Sequence, residues 1–518
     1  MKRPIVIPLL VSLVVLGACS SGELSTDTAV AIDPSGESSM IQPAPQEGSG
    51  PIDLAPTEPN EIGVTEANTF EDAGDTGFVS TATDPQSTFG MDVDTGSYTV
   101  ARRLISEGYV PPPEAIRVEE WINAFGYDDP APTDDDFAIT TAVGSAPFSD
   151  DGTLLARIGL QTRTIPDEDR PPAALTWVVD TSGSMSIENR LDLVKESLGL
   201  LVTSLDDDDT IAIVTYDDES RPLLAPTPVS DADEIYEAID ELEIGGGTNM
   251  EAGLLLGYEQ AREAYRDGAV NAVILASDGV ANIGLDEGEP LADRIREEGN
   301  DGLHLVTVGF GMGNYNDALM EQLADTGDGM YAYVDTIDEA ERLFVEDLTP
   351  TLTPVAGDAK VQVSFDADVV ESYRLIGYEN RALADEDFTD DTVDAGELGA
   401  GHAVTALYEI RLHDGAAAGP DPALGDVSIR WESVADGEVH QLDQTLSTAG
   451  AAEADPAWQL ASTVALTGEV LRGNSAVSER RITLDMVRER AEDLPGDQGE
   501  ELRGLIDDAL AAEPYQAG

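Results

Sequence analysis

Only one cysteine, Cys19, occurs in the 518 residues. No disulfide can form within the chain, so the fold must rest on apolar burial or on bound ions. Positive charge is almost as scarce: 27 basic residues stand against 103 acidic ones, a formal net charge of −76. Lysine is confined to Lys2, Lys195 and Lys360, and arginine supplies nearly all the rest. A surface of this sign repels nucleic acid and anionic headgroups and excludes both as partners. It also draws cations of every kind, so acidity alone says little about any one metal site. Solubility in a salty environment explains it equally well. The four histidines (His304, His402, His413 and His440) leave little for histidine acid–base catalysis. Long apolar runs are missing too. Ile5 to Leu16, interrupted by Pro8 and Ser12, falls short of a membrane span of about 20 residues.

That short run follows a basic start, Met1-Lys2-Arg3, and closes on Leu16-Gly17-Ala18-Cys19. The shape is that of an export signal, and the closing tetrapeptide resembles the lipobox of bacterial lipoproteins. The resemblance implies removal of residues 1–18, a lipid on Cys19, and an extracytoplasmic protein anchored to the membrane of the cell envelope. An ordinary signal peptide with a chance cysteine is the other reading. Residues 19–83 are rich in Ser, Thr, Pro, Gly and acids and show no apolar period. Such a segment cannot repay the entropy of ordering and is expected to be a disordered tether. Its end-to-end distance would be roughly 45 Å.

Patterned sequence begins at Ser87, and residues 84–170 form the next region. Phe89, Met91 and Val93 alternate, and helical spacing follows at Val100, Leu104 and Ile105, then at Ile116, Val118, Trp121, Ile122 and Phe125. Asp92-Val93-Asp94 starts like an EF-hand loop, but Arg103 stands at the twelfth position, where a bidentate Glu is required. Asp94-Thr95-Gly96-Ser97 has the form of an aspartic-protease lobe, yet the other such tripeptides, at Asp75 and Asp325, fall in the tether and in a glycine-rich loop. Asp94 and Ser97 are expected to cap the next helix. Two or three strands should follow between Phe137 and Thr164.

From Pro171 to residue 350, apolar runs of strand length alternate with helical segments, which predicts a doubly wound, mostly parallel α/β sheet. The four aspartates Asp206 to Asp209 read as a solvated turn, and Ile337 to Leu348 as the last helix. Over residues 355–450 the period returns to two, in Lys360–Arg381, His402–Leu412 and Asp426–Val434. These strands are expected to pair with those before Pro171 in one antiparallel β-sandwich, with the α/β region inserted into it. Residues 451–518 read as amphipathic helices packed on that sandwich.

Three segments of the α/β region carry oxygen donors. Asp180, Ser182 and Ser184 follow the apolar strand Ala173–Val179; Thr248 follows Gly245-Gly246-Gly247; Asp278 ends a second apolar strand in Ser277-Asp278-Gly279. Carboxylates and hydroxyls at the carboxyl ends of central strands suit a hard divalent cation. Asp-x-Ser-x-Ser, Gly-Gly-Thr and Ser-Asp-Gly, in this order on a βαβ pattern, resemble the von Willebrand factor type A domain, a Rossmann-like fold. The resemblance implies a metal-ion-dependent adhesion site in which Ser182, Ser184 and Thr248 ligate Mg²⁺ (or Mn²⁺ or Ca²⁺) directly, with Asp180 and Asp278 bound directly or through water. A protein partner's Asp or Glu carboxylate would complete the coordination. Asn249 and Met250 flank the site, and Ser186, Tyr216 and Gly311 lie on nearby strand-end loops where they would shape specificity. Ser87–Phe125 and the later GYENR and GAGHAVTALYEI stretches resemble the flanking regions of bacterial lipoproteins that carry this domain, which implies architecture and names no partner.

The expected function is therefore binding without catalysis. An assembly or signalling subunit using the same site is the second reading. A Mg²⁺-dependent hydrolase is a remote third, because Ser182 stands where Asp-x-Asp phosphatases need their second carboxylate.

Overall fold

The computed structural model describes residues 74–91, 93–133, 135–166, 169–279, 295–296, 302–311, 317–327, 329–391, 393, 395–416, 421–449, 452 and 455–514. The leader, Cys19, Asp92 and most of the helix expected near residues 291–298 lie outside them.

The strands that precede the α/β region include β1 (Val79–Ser80), β2 (Gln86–Gly90), β3 (Phe137–Ser145) and β4 (Leu154–Thr162). Regular structure thus begins inside the stretch expected to be a tether as far as Thr83. β1 pairs antiparallel with the strand Val370–Ile376, and the Thr81 hydroxyl donates to the Val370 carbonyl at 2.6 Å. Two apolar side chains in an otherwise polar run account for this. Val79 packs on the sandwich core, and the Arg411 guanidinium lies 3.6 Å from the Phe78 ring centroid.

Helices α1 (Gly96–Ser106) and α2 (Val118–Asn123) separate β2 from β3. Neither Asp94 nor Ser97 caps α1. The Glu120 carboxylate of α2 accepts from the Ser97 backbone N–H at 2.7 Å, while the Ser97 hydroxyl donates to the Ala115 carbonyl. Asp94 instead accepts from the Tyr331 backbone N–H at 3.3 Å. A Cβ at Gly96 would lie 2.5 Å from Cε1 of Tyr331, so this glycine lets α1 dock on the edge of the α/β sheet. The protease-like tetrapeptide is a packing seam.

The α/β region runs β5 (Ala173–Asp180), α3 (Arg190–Ser204), β6 (Thr210–Tyr216), β7 (Ser220–Pro228), α4 (Ala232–Asp240), α5 (Met250–Ala264), β8 (Val270–Ser277), β9 (His304–Phe310), α6 (Asp317–Thr326) and β10 (Tyr331–Val334). The sheet order is β10-β9-β8-β5-β6-β7, parallel except for the β6–β7 hairpin. Every residue of β5 is buried, as a parallel strand covered on both faces requires. Leu175, Trp177 and Val179 share a core with Val194, Leu198 and Leu201 of α3. Val178 faces α5, where a Cβ on Gly257 would come within 2.3 Å of its side chain. The chain leaves β5 for β6 on one side and later returns to β8 on the other. The crevice above the carboxyl ends of β5 and β8 is therefore the topological switch point, where such sheets bind ligands.

Two local expectations need correction. The aspartate run is no uniform solvated turn. Asp206, Asp207 and Asp208 are exposed, but Asp209 is fully buried. It accepts from the backbone N–H of Ala173 at 2.6 Å and of Asp206 at 2.8 Å, and it pairs with Arg170. The helix expected over Ile337–Leu348 is broken by a π-helical turn at Arg342–Glu346; within it Phe344 sits 5.4 Å from Trp177, ring to ring.

Beyond it come β11 (Pro354–Phe365), β12 (Val370–Ile376), β13 (Ala403–Leu412), β14 (Ala423–Ser433) and β15 (Val439–Ser447). One sheet is ordered β1-β12-β13-β4-β3, and the other contains β2-β11-β14-β15. Strands from both sides of the α/β region are thus neighbours in both sheets, and no clean break falls at Pro354. The helices α7 (Pro456–Arg472), α8 (Ser475–Arg480), α9 (Leu484–Ala491) and α10 (Gly496–Ala511) share a core with α1 and α2 through Trp121, Trp458, Val464, Leu502 and Ile506.

One buried charge cluster ties that helical layer to the sandwich. Arg374 of β12 donates to Glu409 of β13 at 3.1 Å and to Glu469 of α7 at 2.6 Å, with all three side chains buried. Arg374→Met leaves buried Glu469 without its arginine and Glu409 with Arg480 alone. It is expected to lower unfolding stability by about 3–5 kcal/mol, measured by chemical denaturation. A loss under about 1 kcal/mol would show that the cluster does not hold the two layers together.

Candidate metal centre

Asp180 is the last residue of β5 and is completely buried. One carboxylate oxygen accepts from the Ser182 backbone N–H at 2.8 Å and so closes the turn that follows the strand. The other accepts from the Ser277 hydroxyl at 2.8 Å and from the Tyr216 hydroxyl at 3.2 Å. The turn sets the Ser182 and Ser184 hydroxyl oxygens 3.0 Å apart. The triple-glycine loop lies across it: Gly245 N–H donates to the Thr181 carbonyl at 2.6 Å and Gly183 N–H to the Gly246 carbonyl at 2.9 Å. Added Cβ atoms on Gly245 and Gly246 would lie 2.0 and 2.2 Å from the carboxylates of Asp217 and Asp218. A side chain at either position would have to displace those carboxylates. Thr248, two residues further on, is 1% exposed.

Asp278 follows β8 directly and is fully buried. Its Oδ2 accepts from Nη1 of Arg190 at 2.6 Å, and the same nitrogen lies 3.4 Å from the Ser184 carbonyl. The Asp180 turn and the glycine loop are thus stitched together by backbone bonds, and Arg190 joins that turn to Asp278.

Burial, and then the charge of Asp278, push the Asp180 carboxyl up to about 6, against the lowering effect of the bonds from Ser182 and Ser277. Two mutually repelling carboxylates, both out of water, are the environment in which a divalent cation is retained. The five residues expected as ligands offer two carboxylates and three hydroxyls. Among the described residues, no three His, Cys, Asp or Glu side chains gather as a metal cluster. Neutral hydroxyl donors are what distinguish this centre from an all-carboxylate one.

The residues expected to flank the site or to shape its specificity divide. Ser186 is exposed and donates to the Gly183 carbonyl. Tyr216 and Met250 are fully buried, and Tyr216 supports Asp180. The Asn249 side chain caps α5 by accepting from Ala252 N–H at 3.2 Å. Gly311, at φ +82°, lies against Arg190. Ser277 and Arg190 were not singled out from sequence. Arg190 was legible in principle, because it falls on the stripe of Val194, Ser197 and Leu201 that α3 buries.

Residues 175–346 match the von Willebrand factor type A domain. Residues 64–156 match a family described as von Willebrand factor, and residues 350–508 one described as "Uncharacterized protein YfbK, C-terminal". The α/β region thus carries a von Willebrand factor type A domain. It is 41% identical over 340 residues to the uncharacterized protein YfbK of Escherichia coli (strain K12), covering 64% of this chain and 59% of that protein's length. It is 24% identical over 268 residues to inter-alpha-trypsin inhibitor heavy chain H3 of Homo sapiens, covering 47% and 29%. A solved structure, "von Willebrand factor type A from Catenulispora acidiphila", aligns at 16% identity and a TM-score of 0.43 over 72% of this chain and 89% of that one.

The raised Asp180 carboxyl has a signed consequence. Its contribution to stability is present below about pH 4 and is lost as the pH rises through about 6, up to roughly 3 kcal/mol. Cation binding should restore what is lost. The gap between thermal melting points in Mg²⁺ and in EDTA is expected to open between pH 4 and pH 7. A gap that stays constant over this range would contradict it.

Proposed function

We propose that this chain is a membrane-anchored, extracytoplasmic protein-binding module. Asp180, Ser182, Ser184, Thr248 and Asp278 hold a divalent cation, Mg²⁺, Mn²⁺ or Ca²⁺, through which a partner's Asp or Glu carboxylate is captured. The observation that carries this reading is the meeting of the Asp180–Ser184 turn, the glycine loop and Asp278 at the switch point of the sheet. When bound, such a cation supplies Lewis acidity toward an incoming oxygen ligand. The protein's own residues keep it in place and keep it weakly ligated. Three of the five donors are neutral, so the ligand set carries no negative charge beyond that of the two carboxylates. The Ser182 and Ser184 hydroxyls bond to each other at 3.0 Å rather than to a base, which suits ligation and not nucleophilic attack.

The sandwich strands of residues 84–170 and 355–450, with the helices of 451–518, serve as the scaffold that presents the α/β domain of residues 171–350. A lipid on Cys19 anchors the whole, and the acidic segment behind it holds the domain clear of the membrane. Among the described residues, no helix is long and apolar enough to cross a membrane.

Ser184→Ala and Thr248→Ala are the informative variants. Asp278→Ala would leave the buried Arg190 guanidinium without this carboxylate and would confound binding with folding. In pull-downs from envelope extract, wild type is expected to retain a partner in Mg²⁺ and release it in EDTA. Each variant should lose at least about tenfold in retention with little change in melting point, since about 1.4 kcal/mol of lost binding suffices. Equal retention in EDTA would overturn the proposal.

A further inference from the structure

The centre described above contains a cation of its own. Arg190 opens α3 with its side chain 2% exposed, and its guanidinium donates to Asp278 at 2.6 Å. It is held in place from several sides. Glu188 and Asn189, just before it, both have left-handed backbone (φ 51° and 60°), and Glu188 is paired with Arg103. On the far side Gly311 leaves only enough room for the arginine stem, since a Cβ there would lie 2.2 Å from Nε.

A fixed positive charge beside a divalent-cation site opposes the ion, because like charges a few ångströms apart in a buried setting repel strongly. As a device for tight metal binding this arrangement is counterproductive. As a device for binding a carboxylate through a metal it is consistent. Asp180 and Asp278 alone would neutralise a divalent ion completely and leave no net charge to attract a ligand. With Arg190 engaging Asp278, the centre's own groups total one negative charge, and the ion leaves it one positive. A single carboxylate from outside then brings it to neutrality. Asp217 and Asp218, beside the glycine loop, are part-exposed and exposed, so water and salt screen their charge.

We infer that Arg190 is a built-in counter-cation that weakens the chain's hold on the divalent ion and strengthens the ion's hold on a partner carboxylate. This rests on the metal reading given under Proposed function. The two effects have opposite signs, which a merely structural role for Arg190 would not produce.

The test uses the full chain in detergent, Mn²⁺ as the metal probe followed by electron paramagnetic resonance, and acetate as the carboxylate probe on the Mn²⁺-loaded protein. Arg190→Met is expected to bind Mn²⁺ roughly tenfold more tightly, and acetate roughly tenfold more weakly, than wild type. Arg190→Lys, which keeps the charge, should stay within about threefold of wild type on both. Arg190→Gln is a second neutral variant should the methionine variant fail to fold, and melting points monitor this. Folded neutral variants that bind Mn²⁺ no more tightly than wild type, or that gain affinity for both probes, would overturn the inference and leave the metal reading standing. Absence of Mn²⁺ binding in wild type would overturn both.

Discussion

Two aspartates face each other out of water at the carboxyl ends of neighbouring parallel strands, and much of the molecule is arranged around that repulsion. Asp180 ends β5 and Asp278 follows β8. The strands are adjacent because the chain reverses its winding between them. Burial and the Asp278 charge raise the Asp180 carboxyl. Tyr216, Ser277 and the Ser182 amide all donate to Asp180, and Arg190 donates to Asp278. These groups fix both carboxylates in place, and Arg190 offsets one of the two charges while the other remains.

The rest of the fold keeps that crevice rigid. β5 is covered on one face by α3 and on the other by α5, with Gly257 and Gly253 letting α5 approach closely. At the opposite end of β5, buried Asp209 accepts from the first amide of the strand. The sandwich grips the α/β domain through paired charges. Arg381 of the GYENR segment reaches Asp94, Glu321 and Asp325, and Arg117 reaches Glu321. In a chain so short of positive charge, many of its arginines sit at seams between layers. Some exposed acids also keep an arginine, as Asp391 does with Arg430 and Asp507 with Arg488, and an acidic excess of this size favours solubility.

Most of this organisation was legible in the sequence because period and punctuation agreed: β5, β6, β8 and β9 read as apolar runs, and the sandwich strands alternate. The three donor segments stood out for a similar reason, since each is a polar interruption directly after a buried strand or a glycine run. What escaped was whatever depends on contacts distant in sequence. Phe78 and Val79 gave too short a signal to mark β1. Asp94 and Ser97 looked like caps because their partners, Tyr331 and Glu120, are not adjacent in sequence. Asp209 resembled its three exposed neighbours, since only the fold sets Arg170 and the Ala173 amide beside it. Tyr216 pointed toward a surface role, whereas strand pairing places it beneath Asp180.

Anomalous diffraction from crystals of the full chain grown with Mn²⁺ bears most directly on whether these oxygens hold an ion. One dominant peak is expected within about 2.0–2.3 Å of the Ser182, Ser184 and Thr248 hydroxyl oxygens, with Asp180 and Asp278 in contact directly or through water. Manganese scattered over the surface acids, with no density between those hydroxyls, would contradict it.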